Sequence, residues 1–171
     1  MTESRVTSRE AEAMRRFITK LPHNADPALV ILKAHLLIEE QLRLLVDERM
    51  AKPKALQTAE LECNQVICIA EALTGDTLMP QMWTALRKLN KLRNDLAHQL
   101  DPKGLTDRIA YVAKVVGETH PMWEGDTPWP DLMTEFDAAM WVLFVRVSAL
   151  VERPSARIVS IEGGPFAEQA P

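Results

Sequence analysis

The sequence predicts an all-α protein, an up-down bundle of four long helices with shorter extra helices. Apolar residues recur every three or four positions along most of the chain, and no segment alternates apolar with polar residues. Residues that cap or break helices separate these runs. The 171 residues, 47% of them hydrophobic, suffice for one domain with a single core. We therefore expect one helical domain over residues 1–151 and a flexible tail over residues 152–171.

The first two helices are predicted from their start signals and their apolar periodicity. Residues 8–21 form the first helix, with Ser8 as its N-cap. The second helix starts at Asp26-Pro27, where a capping residue precedes a proline in the first turn, and it runs to about Met50. Its first half is apolar around most of its circumference, which predicts a position in the middle of the bundle.

The next helices are bounded by proline and glycine. After a linker around Pro53, Thr58 is expected to cap a third helix that ends at Gly75. A fourth helix starts near Pro80 and runs to about Leu100, where an Asp-Pro pair stops it.

The remainder of the chain is predicted as a short helix, a loop and a long helix. Thr106 caps a fifth helix that fades by Gly117. A loop with Pro, Gly and Trp residues follows over 120–130, and the last helix covers roughly 131–151.

Charge and cysteine usage narrow the range of functions. A net charge of −4 gives the whole chain no general attraction to nucleic acid, so such binding needs a local basic patch. The sequence shows no basic recognition helix, so it does not predict direct DNA binding. The polar N-terminus predicts no signal peptide, and the apolar stretches are too short for a membrane span. Cys63 and Cys68 point about 140° apart on a helix, so we expect reduced thiols in a cytoplasmic protein.

Arg93 interrupts the apolar stripe of the fourth predicted helix. On an ideal helix it lies about 40° from Leu89, and its guanidinium stays charged, so it must reach water, a carboxylate or a cleft. His98 points about 140° away from Arg93, and Asn94 shares the face of His98.

An ordinary structural role is open for both residues. Arg93 would then pair with a carboxylate, for which Glu39 and Glu71 are candidates, and His98 would interact favourably with the negative end of the helix dipole.

The string RNDLAH, from Arg93 to His98, resembles the signature of the HEPN superfamily. That signature is an Arg, a polar residue, three further residues and a His, late in a helix of an all-α bundle. The resemblance covers roughly residues 27–118. It includes AHLLIEEQLRLLV, which is similar to the long central helix of these proteins, with an acidic residue among apolar ones. It implies a HEPN-like bundle that dimerises with the two motifs at the interface.

The resemblance implies a metal-independent endoribonuclease, often the toxin of a toxin–antitoxin or antiviral system. His98 would be the general acid or base, since imidazole changes charge near neutral pH. Arg93 would bind the scissile phosphate and Asn94 would orient it. The attacking group would be the 2′-OH of the RNA itself. Implied partners are a second copy of the chain, an RNA substrate and a cognate antitoxin protein.

Three further residues are secondary candidates: His35, Glu39 and Asp95. His35 falls in an apolar stripe with Glu39 one turn on, which favours a core or interface histidine paired with Glu39 over a second catalytic residue. The sequence has no metal-ligand spacing, no glycine-rich phosphate loop and no nucleophile elbow. We therefore predict neither a metal site nor a cofactor.

A non-catalytic interaction module is the alternative function. Bacterial regulators resembling the mannitol operon repressor are all-helical and carry a similar Arg-to-His helix end. A nuclease needs Arg93, Asn94 and His98 exposed together in a solvent-open groove with positive potential. Because Arg93 and His98 point about 140° apart on an ideal helix, the Arg93 side chain must wrap round the helix, the last turn must distort, or a second subunit must supply the other half. An interaction module needs no such groove.

Overall fold

The computed structural model describes residues 8–22, 25–75, 78–119 and 134–152, and these residues form helices with no strand among them. The predicted all-α class is confirmed. The helices of the described residues are α1 (Ser8–Lys20), α2 (Pro27–Arg49), α3 (Lys54–Gln57), α4 (Cys63–Thr74), α5 (Pro80–His98), α6 (Leu105–Gly117) and α7 (Glu135–Glu152).

Helix α2 lies at the centre of the packing, where the sequence places it. It contacts α1, α4, α5 and α7, and α6 packs on α5 and α7. Its inward face buries Ile31, Leu42 and Leu45 in the apolar core that all the long helices share. The outward face of its first half is less buried than a position in the middle of the bundle predicts. Three leucines remain exposed there, at spacings of three and four residues: Leu29, Leu32 and Leu36.

Several boundaries follow from local signals that the sequence displays. Pro27 is the first residue of α2, and the Asp26 carboxylate accepts a hydrogen bond of 2.9 Å from the Ala28 N–H. Gly75 ends α4 with a positive φ of 55°, a conformation that glycine adopts without a Cβ penalty.

The predicted start of the third helix at Thr58 is wrong. The Thr58 hydroxyl donates back to a carbonyl of the short helix α3, and Glu60 has a φ of +46°, which interrupts helical geometry. Helix α4 begins instead at Cys63, where Glu62 and Gln65 form a capping box and the Gln65 side chain accepts from the Glu62 N–H at 2.8 Å.

The turn between α5 and α6 also differs from the prediction. Helix α5 ends at His98, because Gln99 is extended, and Leu100 beyond it is 99% exposed rather than part of the apolar stripe. Gly104, with a φ of +66°, precedes α6, so Thr106 lies inside that helix instead of capping it.

No described helix is long and apolar enough to cross a membrane. The predicted loop over 120–130, the first residues of the predicted last helix and tail residues 153–171 lie outside the described residues, whereas Glu152 belongs to α7.

Candidate functional site at the end of α5

A polar cavity of about 430 Å³ lies where α2, α4 and α5 meet. It contains all three principal residues of the RNDLAH string. The lining residues are His35, Glu39, Arg43, Glu62, Cys63, Asn64, Asn90, Arg93, Asn94 and His98.

Helix α5 presents Arg93, Asn94 and His98 to this cavity from its last two turns. Arg93 is half-buried, whereas Asn94 and His98 are exposed. The Arg93 Nη1 donates a hydrogen bond of 3.0 Å to the Asn94 side-chain oxygen, so the guanidinium is turned toward the neighbouring residue. The 140° divergence expected from an ideal helix therefore does not keep Arg93 and His98 out of one cavity. All three residues line one cavity of a single chain.

Arg93 pairs with neither of the carboxylates that the sequence offers it. Arg43 holds Glu39 through two hydrogen bonds, of 2.6 Å and 2.9 Å, to one carboxylate oxygen. Glu71 is the ion-pair partner of Arg87. Among the described residues, no carboxylate lies within ion-pair distance of Arg93. Its positive charge is therefore available to an anion in the cavity.

The charges of the lining are otherwise balanced. Arg43 and Arg93 face the carboxylates of Glu39 and Glu62, so with neutral imidazoles the described lining has no net formal charge. The cavity is not uniformly positive, and attraction for a phosphate is concentrated at Arg93.

His35 lies at the buried end of the cavity and is only 4% exposed. Its Nε2 is 3.0 Å from the Asn90 side-chain oxygen, and its Nδ1 is 3.6 Å from a Glu39 oxygen. Burial lowers the pKa of His35, with a further lowering from Arg93, against the opposing effects of Asn90 and Glu39. The expected proximity to Glu39 is present, but Asn90 provides the hydrogen bond.

Sequence reasoning missed Asn90 and Cys63. Asn90 is a polar residue on the buried side of α5, three positions before Arg93, and that placement was the available signal. Cys63 begins α4, and burial, together with the Glu39 carboxylate, raises the pKa of its thiol to about 12. Nothing in the sequence near Cys63 indicates that it lies beside His35 and Glu39.

Asp95 faces away from the cavity. Its carboxylate forms an ion pair with Arg108, so Asp95 links α5 to α6. On the same side of α5, the Lys88 ammonium lies 5.7 Å from the centre of the Tyr111 ring. The basic residues of α5 thus divide among separate faces and do not form one continuous surface.

No known protein family, curated protein sequence or solved structure matches this chain. The chemistry of the cavity is therefore the main guide to function.

Proposed function

We propose that this protein is a HEPN-like, metal-independent endoribonuclease whose active site is the cavity at the end of α5. The observation that carries the proposal is that Arg93, Asn94 and His98 line one cavity, with Arg93 free of any carboxylate partner among the described residues. A phosphodiester supplies the anion that this guanidinium lacks.

The proposed reaction uses the substrate's own nucleophile. The 2′-oxygen attacks the neighbouring phosphorus, the bond from phosphorus to the 5′-oxygen breaks, and the products are a 2′,3′-cyclic phosphate and a 5′-hydroxyl. Arg93 binds the phosphate and stabilises the charge that develops on it. His98, which is exposed to an entering substrate, takes the 2′-OH proton or gives one to the leaving oxygen. DNA lacks the 2′-OH and is not cleaved.

The proposal extends to assembly and cellular role. The long helices would form the up-down bundle of HEPN proteins, and two copies would associate with their motifs near the interface. The protein would act in the cytoplasm as the toxin of a toxin–antitoxin or antiviral system, held in check by a cognate antitoxin.

Cleavage of labelled RNA by purified protein in a chelating buffer tests the proposal. We expect the wild type to cut RNA, but not DNA of the same sequence, and to leave cyclic-phosphate ends. Replacing a general acid or base lowers rates by about 10²–10⁴-fold, so His98→Ala should lose at least about 100-fold. Arg93→Ala should lose cleavage as well, because the phosphate then has no cation at that position.

Gln99→Ala is the matched control for this experiment. Gln99 follows His98 directly, is exposed and does not line the cavity, so its variant should cleave at the wild-type rate. Expression in growing cells gives a second measurement, with growth arrest by the wild type and relief by His98→Ala. Equal cleavage by the wild type and His98→Ala would contradict the proposal.

The second candidate function is a non-catalytic interaction module, and the exposed leucines of α2 favour it. Leu29, Leu32 and Leu36 lie on one face at helical spacing and remain in solvent among the described residues. An interaction module would leave RNA intact whether or not Arg93 and His98 were present, so the same cleavage assay separates the two functions.

A further inference from the structure

Three side chains at the buried end of the cavity place a nitrogen, an oxygen and a sulfur close together. His35 and Glu39 lie one turn apart on α2, and Cys63 is the first residue of α4. One ligand atom from each residue, His35 Nδ1 or Nε2, a Glu39 oxygen and Cys63 Sγ, lies within 4.8 Å of the other two. Imidazole, carboxylate and thiol groups are the ligands that zinc takes from proteins.

The surroundings orient His35 toward this group. The Nε2–H donates to the Asn90 oxygen at 3.0 Å, which leaves Nδ1 as the nitrogen with a free lone pair. This Nδ1 is buried and has no hydrogen-bond partner in the part of the chain that the structure describes, and it faces a carboxylate oxygen that cannot donate to it. Metal-bound histidines are held in the same way, with the other ring nitrogen donating to an oxygen.

Glu39 is similarly held with one oxygen free. Both hydrogen bonds from Arg43 go to Oε1, whereas Oε2 lies 3.6 Å from His35 Nδ1. Two acceptor atoms thus face each other at 3.6 Å, one of them on a buried imidazole, an arrangement that a bound cation stabilises.

We propose that His35 Nδ1, Glu39 Oε2 and Cys63 Sγ bind one Zn²⁺ ion. Zinc bonds of about 2.0–2.3 Å require the three atoms to move closer by a small side-chain adjustment. The Cys63 thiol gives up its proton to solvent when its sulfur binds the ion. Mg²⁺ and Ca²⁺ take oxygen ligands and do not suit this set. The fourth position of a tetrahedral ion would be left to water or to an anion in the cavity.

The assignment of this zinc site does not rest on the proposed ribonuclease. None of its three ligands is Arg93, Asn94 or His98, and zinc has no part in the proposed cleavage. The site therefore concerns a second binding property of the same cavity.

Titration of the metal-free protein with Co²⁺ alone tests the site, because Co²⁺ replaces zinc and is coloured. We expect one equivalent to produce visible bands of a four-coordinate ion and an ultraviolet band from thiolate-to-cobalt charge transfer. Added Zn²⁺ should remove both. Cys63→Ser should abolish the charge-transfer band, whereas Cys68→Ser, which changes an exposed thiol outside the group, should retain it.

A second pair of variants keeps the test independent of the cysteine. Glu39→Gln preserves size but removes the charged ligand, and Glu40→Gln changes the adjacent exposed carboxylate that pairs with Arg16. We expect weaker Co²⁺ binding only in Glu39→Gln. Replacing a group that orients a ligand costs about 10–100-fold in metal affinity, so Asn90→Leu should lose a similar factor.

The zinc proposal is wrong if the wild type gives no charge-transfer band or if Cys63→Ser gives the same band as the wild type. Equal Co²⁺ affinity in Glu39→Gln and Glu40→Gln would also overturn it. Circular dichroism of each variant checks that the helices are retained. The Co²⁺ titration does not measure RNA cleavage, so a failure of the ribonuclease proposal does not change the outcome of the titration.

Discussion

The hydrogen bond between His35 and Asn90 joins α2 to α5 at the buried end of the cavity. Both side chains are buried, and their atoms are 3.0 Å apart. A buried polar group that loses its partner costs about 1–3 kcal/mol. We expect Asn90→Leu to lower the free energy of unfolding by that amount, because the imidazole N–H is left without an acceptor. Urea denaturation of metal-free protein measures it.

The double variant His35→Leu/Asn90→Leu is the control for this prediction. It removes both polar groups, so no donor is left unpaired, and it should be destabilised by less than the sum of the two single variants. Additive losses would mean that the hydrogen bond contributes nothing specific.

The sequence could predict that residues lie in one site only where those residues belong to one short segment. Arg93, Asn94 and His98 lie within six residues of α5, so the linear string RNDLAH displays them together. His35, Cys63 and Asn90 belong to three different helices and meet only because α2 packs against both α4 and α5. Spacing along a sequence does not encode that contact.

Helix boundaries were predictable where the signal is local and has no competitor. The start of α2 was predicted correctly because Asp26, as the N-cap, and Pro27, as the first helical residue, indicate the same boundary. The start of α4 was not predictable in the same way, because Thr58 and Glu62 both precede an apolar run. The positive φ of Glu60 decides between them, and a positive φ at a residue other than glycine cannot be predicted from the sequence.

The N-cap of α2 provides a stability prediction at the level of the element. Asp26 accepts from the Ala28 N–H at 2.9 Å, and it is exposed, so replacing it disturbs little else. Loss of such a cap costs about 0.5–2 kcal/mol. We expect Asp26→Ala to lower the free energy of unfolding by about 1 kcal/mol in urea denaturation.

Asp26→Asn is the matched variant for the cap, because its side-chain oxygen accepts the same hydrogen bond. It should unfold close to the wild type. If Asp26→Asn were destabilised as much as Asp26→Ala, the carboxylate charge rather than the cap would be responsible.

At the scale of the whole molecule, the core of α2 fixes the site. Ala34, Ile38 and Leu42 are fully buried on the same helix that carries His35 and Glu39, so the buried end of the cavity rests on tightly packed structure. The residues at the open end, Asn94 and His98, are exposed on the last turns of α5. The cavity therefore combines a tightly packed interior with an accessible rim.

The placement of the motif within one chain makes a prediction about the proposed homodimer. A second subunit is one of the ways expected to overcome the ideal-helix angle of about 140° between Arg93 and His98, yet both residues line the same cavity of a single chain. If the cavity of one chain is the whole active site, each subunit of a dimer of 19.3 kDa chains has a complete site. Light scattering first establishes whether the wild type has twice the chain mass.

Mixing two inactive variants then tests how the sites are composed. A mixed dimer of Arg93→Ala and His98→Ala chains has one intact site only if Arg93 and His98 come from different subunits. We expect the mixture to cleave RNA no faster than the two variants assayed alone, because each chain lacks one residue of its own cavity. Recovery of cleavage after unfolding and refolding the chains together would instead place the active site across the dimer interface, with the cavity of a single chain only part of it.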